Sequence, residues 1–138
     1  MSGRLRLVAV ALSVAGIAVS VYLTVVHFIG FAPACPTTGP INCETVLTSK
    51  YAVLAGTSIP TSALGVVWFT VSAVFWIGGW RRAINWWSGA GLAFALALVF
   101  VEIGVLGAIC LWCTAAHLLV LTLFLIALTE HSRQRGAY

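Results

Sequence analysis

The chain has 138 residues, of which 62% are hydrophobic and only 7% are charged. A soluble domain carries roughly 25% charged residues, so this composition excludes a soluble globular protein and indicates a single-domain integral membrane protein. The seven basic residues give a net charge of +4 but form no run along the chain, which argues against binding to nucleic acid.

Four apolar stretches are each long enough to cross a bilayer, which takes about 20 residues in a helix. They cover residues 7–29, 61–80, 86–109 and 111–129. The third and fourth stretches nearly touch, so we predict a tight hairpin between them, with Gly104 and Gly107 helping the chain to turn. The predicted fold is an all-α membrane protein. It has one domain over residues 1–138, a bundle of four transmembrane helices and an outer loop over residues 30–60.

Arginines determine the predicted orientation. They precede the first span, lie between the second and third, and follow the fourth: Arg4, Arg6, Arg81, Arg82, Arg133 and Arg135. With an even number of spans these segments share one side, which the positive-inside rule makes cytoplasmic, together with both termini. Trp80, Trp86 and Trp87 are predicted to form an interfacial belt there, and His27 is predicted to lie at the outer interface. A cleaved signal peptide ending near Ala32 is an alternative, although its core would exceed the usual 7–15 residues.

The outer loop begins with turn-forming prolines and glycines and then shows a helix start signal. Asn42 is a candidate N-cap, with Glu44 and Thr45 in the first turn. The apolar residues that follow have roughly helical spacing: Val46, Leu47, Val53 and Leu54. We therefore predict a short amphipathic helix that lies on the membrane surface and ends at Gly56.

The four cysteines form two pairs, Cys35 with Cys43 in the outer loop and Cys110 with Cys113 before and in the fourth span. The predicted topology puts all four on the outer face, where the compartment is oxidising. A C-x-x-C pair at a helix start can cycle between dithiol and disulfide, and the helix dipole favours its thiolate. Three alternatives stay open: a structural loop disulfide, two apolar helix cysteines, or a four-cysteine zinc site.

Three segments carry a family resemblance. The loop cysteines are separated by seven residues and are followed by a stretch that ends at Ser49. Residues 56–65 lead into the second span, and residues 107–113 contain the C-x-x-C. Together with the four-span topology, these segments resemble the vitamin K epoxide reductase family over almost the whole chain. The chain is identified as a bacterial-type, single-domain member.

The resemblance implies a role for each cysteine. Cys113 would act on the quinone ring, and Cys110 would exchange with the loop pair through Cys43. Cys35 would take the mixed disulfide with a soluble partner. Ser49 would hydrogen-bond a quinone carbonyl.

Four further residues complete the candidate site. Thr61 and His117 lie where vertebrate members have an asparagine and a tyrosine, and both can still donate hydrogen bonds. Trp112 is included as a quinone contact, with a packing or interfacial role as its alternative. Glu102 is a candidate proton relay because an intramembrane carboxylate is expected to be functional. It could equally pair with His117, form a structural hydrogen bond or reach the outer headgroups.

The predicted protein is a multi-pass enzyme, most naturally of the bacterial plasma membrane, with its active site on the outer face. It would pass electrons from a separate thioredoxin-like (DsbA-like) extracytoplasmic partner through both cysteine pairs to a quinone, supporting disulfide formation in secreted proteins. The acceptor would be menaquinone, ubiquinone or vitamin K, and no metal or flavin is required. The alternatives are a vitamin K quinone or epoxide reductase proper, a small four-helix exporter built around Glu102, and a non-catalytic scaffold.

Overall fold

The computed structural model describes residues 2–30 and 33–136, which form a bundle of long helices. The helices are α1 (Gly3–Ile29), α2 (Cys43–Leu47), α3 (Thr61–Gly78), α4 (Arg81–Phe100) and α5 (Leu111–Arg135), and a π-helical segment, Val101–Leu106, continues α4. The described residues form isolated β-bridges but no strand. Four helices are long and apolar enough to cross a membrane, which confirms the predicted fold class.

The four long helices form a ring in which α1 packs against α3 and α5, and α4 packs against the same two helices. Glycine makes the closest of these contacts possible. A Cβ added at Gly16 of α1 would lie 2.3 Å from the ring of Phe69 in α3, and one added at Gly65 would lie 2.6 Å from Oγ of Ser20. Small residues allow helices to approach closely in lipid, where the hydrophobic effect does not drive them together.

The arginine-bearing segments meet at one end of this bundle. The guanidinium of Arg6 in α1 donates a hydrogen bond to the carbonyl of Ile77 near the end of α3. At the same end, the backbone N–H of Ser2 donates to Glu130 of α5 at 3.4 Å, and Glu130 lies 3.9 Å from Arg133. These contacts agree with the even-numbered topology on which the orientation was predicted.

Two of the three tryptophans assigned to the interfacial belt are on the surface. Trp80 is 57% exposed and Trp86 is 77% exposed. Trp87 turns into the bundle instead, because its indole N–H donates to the carbonyl of Trp68 at 3.2 Å and to Oγ of Ser72 at 3.1 Å. Its assignment to the belt is therefore wrong.

The helix boundaries of the hairpin differ from those expected. α4 begins at Arg81, before the predicted start, and its π-helical continuation ends at Leu106, before the predicted end. Gly107 adopts a left-handed conformation with φ of 60° and makes the turn. Gly104 lies inside the π-helical segment and does not form the turn. α5 continues beyond the predicted boundary as far as Arg135.

The helix predicted in the outer loop is much shorter than expected. Asn42 is its N-cap, as predicted, and its side chain accepts a hydrogen bond from the N–H of Thr45 at 3.1 Å. α2 nevertheless ends at Leu47. The hydroxyl of Thr48 donates to the carbonyl of Glu44 at 2.7 Å, the kind of local bond by which such residues compete with a helix.

The remainder of the outer loop is irregular. Gly56 turns the chain with φ of 76°, and Val53 forms an isolated antiparallel bridge with Pro60. Pro60 is the N-cap of α3. Ala32, at the alternative cleavage site, lies outside the described residues.

Candidate active site

Backbone hydrogen bonds bring the two cysteine pairs together. The N–H of Asn42 in the outer loop donates to the carbonyl of Ile109 in the turn before α5 at 3.0 Å. The N–H of Ile109 donates in return to the carbonyl of Pro40 at 2.8 Å. These two bonds form an isolated parallel bridge. The next residue on each side is a cysteine, so Cys43 and Cys110 pack together in one buried cluster.

All four cysteines belong to this cluster, which lies at the end of the bundle opposite the arginines. Cys43 is 1% exposed and Cys110 is fully buried, while Cys35 and Cys113 pack against them. Cys35 and Cys43 form a disulfide with their Cα atoms 6.1 Å apart. Cys110 and Cys113 are free thiols. Because a disulfide occupies two of the four sulfurs, the arrangement is inconsistent with a four-cysteine zinc site.

Trp112 holds the loop next to Cys35. Its indole N–H donates to the carbonyl of Ala34 at 2.9 Å, and its ring centroid lies 4.7 Å from that of Tyr22 in α1. The hydroxyl of Tyr22 accepts a hydrogen bond from the N–H of Ala34 at 3.1 Å. Trp112 therefore fixes the position of the loop and does not line the cavity described below. The structure does not bring it to the predicted quinone site.

Cys110 is the N-cap of α5. Its Sγ accepts a hydrogen bond from the backbone N–H of Cys113 at 3.3 Å, and the Cys113 thiol also donates to it. The thiol hydrogen bond is the main cause that lowers the pKa of Cys110 below its ordinary value, with the backbone bond adding to it. Burial and the neighbouring carboxylate of Glu102 oppose this shift. Cys110 is therefore the readier thiolate of the pair.

Glu102 lies in the π-helical segment and is 6% exposed. Its carboxylate accepts a hydrogen bond from the backbone N–H of Cys110 at 3.3 Å. Its own carbonyl accepts from the N–H groups of Gly107 and Ala108, so the widened helical turn directly supports the turn that carries Cys110. Among the alternatives considered for Glu102, the structure shows a hydrogen bond to the active-site backbone and no bond to His117.

An apolar cavity of about 330 Å³ lies against this cluster, within the bundle. Residues from α1, the outer loop, α3, α4 with its π-helical continuation, and α5 line it. The lining includes five predicted site residues: Ser49, Thr61, Glu102, Cys113 and His117. His27, expected at the interface, also lines it. A largely apolar cavity with a few polar groups at fixed positions is typical of a small-molecule site.

The polar groups of this cavity differ in whether they are already hydrogen-bonded. The hydroxyl of Ser49 donates to the carbonyl of Val46 at 2.7 Å, and that of Thr61 donates to the carbonyl of Tyr51 at 3.0 Å. By contrast, Nδ1 of His117 is buried and has no hydrogen-bond partner among the described residues.

Sequence reasoning missed the elements that complete this site. The bridge between the outer loop and the turn before α5 joins residues far apart in the chain and has no local pattern. Tyr22 was not recognised as a support for the loop, because one tyrosine in an apolar span resembles any interfacial aromatic residue.

A comparison with models of protein families matches residues 7–128 of the chain to the Vitamin K epoxide reductase family. The matched region contains both cysteine pairs and every residue placed at the cavity above. It confirms the resemblance drawn from the loop and C-x-x-C segments.

Proposed function

Because the chain belongs to the vitamin K epoxide reductase family, we propose that it is a membrane thiol–disulfide oxidoreductase that transfers electrons to a quinone through both cysteine pairs. The family consists of membrane oxidoreductases that use quinones, so this chain is an integral membrane redox protein. The proposed route of electrons through the cysteines depends on one observation above all. A buried cluster contains all four cysteines, and Cys113 of that cluster also lines the apolar cavity.

The transfer between the pairs is a thiol–disulfide exchange. With the loop pair reduced, the Cys43 thiolate attacks Sγ of Cys110 in the Cys110–Cys113 disulfide, and Cys113 leaves as a thiolate. Cys35 then attacks Cys43 and closes the loop disulfide, while Cys110 leaves. A thiol with a low pKa is the better leaving group, so the lowered pKa of Cys110 favours this second step.

The disulfide pattern of the structure is the one that this exchange would leave. The loop pair is oxidised, and Cys110 and Cys113 are thiols. Cys113 reduces the quinone, and the Cys110–Cys113 disulfide then forms as hydroquinone is released. Oxidation of the dithiol gives up two electrons and two protons, and quinone takes up the same number, so the step is balanced without a metal or flavin.

Glu102 is the proposed proton relay in this step. Its carboxylate is bonded to the backbone of Cys110 and also lines the cavity, so it adjoins both the source and the acceptor of protons. Ser49, Thr61 and His117 are the proposed quinone contacts, because all three line the cavity. Hydrogen bonds to the quinone oxygens would stabilise the charge that develops there during reduction.

Electrons would enter through Cys35 from a separate thioredoxin-like protein. Cys35 supports this assignment because it is only partly buried, whereas Cys43 is 1% exposed. The arginines at the opposite end of the bundle support a cytoplasmic position for both termini and an extracytoplasmic position for the cysteines. A bacterial plasma membrane, with disulfide formation in secreted proteins as the purpose, fits this arrangement.

Anaerobic quinone reduction by the purified protein tests the proposal. With a dithiol as electron donor, we expect the wild-type protein to reduce menadione or a short-chain ubiquinone. Comparing the rates with the two acceptors shows whether the protein prefers a naphthoquinone or a benzoquinone. The Cys113→Ala variant is the matched blank, because it removes the sulfur that lines the cavity. Reduction at the same rate by wild-type protein and Cys113→Ala would contradict the mechanism.

Entry through Cys35 has its own test. In a Cys43→Ser variant, Cys35 loses its internal partner and retains any mixed disulfide with the electron donor. We expect a thioredoxin-like protein to be recovered through this bond from membranes that contain the variant. A Cys35→Ser, Cys43→Ser double variant is the control and should recover nothing. Equal recovery from both variants would argue against Cys35 as the point of entry.

A further inference from the structure

The cavity holds one buried donor that the proposed mechanism does not use. Nε1 of Trp68 in α3 and Nδ1 of His117 in α5 are buried and have no hydrogen-bond partner among the described residues. Both residues line the cavity. Buried N–H groups in proteins are almost always bonded, so an unbonded one needs a specific explanation. His117 already belongs to the proposed quinone site, whereas Trp68 has no assigned role.

The Trp68 ring packs against three neighbours. It stacks on Trp87 with ring centroids 6.2 Å apart and planes 9° from parallel, and it meets Phe69 edge-on at 5.0 Å. On the α4 side it lies directly against Gly91, where an added Cβ would be 2.2 Å from a ring carbon and 2.6 Å from Nε1. A bound molecule with an acceptor oxygen in the cavity would satisfy this N–H.

Position along the bundle shows which part of a ligand would meet this donor. At 1.5 Å per residue, Trp68 lies about 10 Å into α3, and His117 lies about 9 Å into α5. Both helices start at the cysteine end of the bundle. Within α5, Cys113 lies only about 3 Å from the start, so the backbone of His117 is roughly 6 Å deeper than that of Cys113, and Trp68 also lies well inside the bundle.

We propose that Trp68 is a specificity-determining residue whose indole N–H donates a hydrogen bond to the quinone carbonyl oxygen farther from Cys113. This inference rests on the proposed function and deepens it by naming a further residue that contacts the quinone. A para-quinone places its two oxygens at opposite ends of the ring, so one can face the cysteine end while the other meets Trp68. An ortho-quinone carries both oxygens on one side and cannot do both.

The two deep nitrogens suit both redox states of such a ligand. Indole can only donate, whereas neutral imidazole can donate or accept at Nδ1, depending on its tautomer. A quinone oxygen accepts from Trp68. After reduction the same oxygen still accepts from Trp68, and its new O–H has an acceptor available in the same part of the cavity, at His117.

The Trp68→Phe variant tests the inference, because phenylalanine keeps an aromatic ring against Gly91 but has no N–H. We expect the KM for menadione, a para-quinone, to rise roughly tenfold, as for loss of one hydrogen bond. The KM for 1,2-naphthoquinone, an ortho-quinone, should not change. The melting temperature of the ligand-free variant should fall somewhat, because the smaller ring fills less of the space that the indole occupies.

The Trp76→Phe variant is the matched control. Trp76 is also a tryptophan of α3 and is 1% exposed, but it does not line the cavity. We expect this control to lower the melting temperature and to leave both KM values unchanged. An unchanged menadione KM in Trp68→Phe, or an equal rise for both quinones, would overturn the inference. If the wild-type protein reduces no quinone, the proposed function itself fails.

Discussion

The cap of α2 gives the sharpest test of how the cysteine pairs communicate. Asn42 lies at the centre of the contact between the loop and the C-x-x-C turn. Its backbone N–H bonds to Ile109, and its side chain caps the helix that begins with Cys43. In the Asn42→Ala variant the backbone bond stays and the cap is lost. Removing an asparagine cap costs about 1 kcal/mol, within a range of roughly 0.5–2 kcal/mol.

The structure determines where this energy is lost. α2 has only five residues, so the first turn that the cap supports is most of the helix. Cys43 is the first residue of that turn and is buried among the cysteines. If the frayed first turn of α2 must re-form before Cys43 can exchange with Cys110, the lost capping energy of about 1 kcal/mol slows the exchange roughly fivefold. The reaction of Cys113 with quinone should change much less, because Cys113 belongs to α5, and α2 contributes only part of the cavity wall.

Two-phase quinone reduction measures this difference in one experiment. Fully reduced protein, with four thiols, is mixed anaerobically with excess menadione. The first two electrons leave from Cys110 and Cys113, and the next two must come from the loop pair. We expect Asn42→Ala to slow the first phase little and the second about fivefold. Asn42→Ser, which restores a capping oxygen, should recover the wild-type rate.

Two results would refute this reasoning. If both phases slow equally, Asn42 acts on the whole active site and not on the exchange between pairs. If the second phase keeps its wild-type rate in Asn42→Ala, the position of Cys43 beside Cys110 does not limit electron transfer. Either result would remove the role assigned here to the loop contact.

The remaining predictions concern the thiolate, the proton relay and the helix packing. A hydrogen bond from Cys113 lowers the pKa of Cys110, so in a variant without the loop cysteines the thiolate absorbance should develop at lower pH than for an ordinary thiol. In that background, Cys113→Ala should move the absorbance change to higher pH. If it does not move, the hydrogen bond from Cys113 is not the cause of the lowered pKa. Glu102→Gln keeps an acceptor for the backbone N–H of Cys110 but carries no exchangeable acid proton. The kcat for quinone reduction should therefore fall by about 10² or more, while the melting temperature stays the same. An unchanged kcat would exclude Glu102 as a proton relay. Gly16→Ala places a Cβ 2.3 Å from the buried Phe69 ring of α3, so it should destabilise the bundle by about 1–3 kcal/mol in thermal unfolding in detergent. Gly89→Ala is the control and should not destabilise it, because no atom lies within 4 Å of the added Cβ. Equal effects of the two substitutions would contradict the packing described.

Local patterns were enough to predict the spans and the cap. A transmembrane helix is defined by a continuous apolar stretch, and an N-cap by one side chain and the residues after it, so both can be read over a short window. The four spans and the capping role of Asn42 were predicted for this reason. The amphipathic helix was extended too far because the apolar spacing continues to Leu54, whereas Thr48 and Ser49 bond their hydroxyls to the α2 carbonyls and end the helix.

The candidate active site depends on contacts that no short stretch of sequence reveals. The bridge between the outer loop and Ile109 is a backbone contact, so it places no demand on the side chains that form it. The π-helical turn around Glu102 is equally invisible, since the residues that form it also suit an α-helix. Trp68 was read as part of an apolar span, and only its packing against Gly91 and Trp87 reveals that its N–H is left unbonded.

The strength of the loop contact suits the proposed relay. The described anchors of the loop around its cysteines are few: two bridge bonds to Ile109, one indole bond from Trp112, and one bond from the N–H of Ala34 to the hydroxyl of Tyr22. Each contributes about 1 kcal/mol net, so together they hold the loop in place most of the time but can open. In the proposed relay a soluble partner reaches the buried Cys43 through Cys35, which packs against the same cluster, so opening would make Cys35 accessible. The helix contacts behind the cavity, where glycines lie against aromatic rings, have no such freedom, and in the proposed relay they would keep the quinone site fixed.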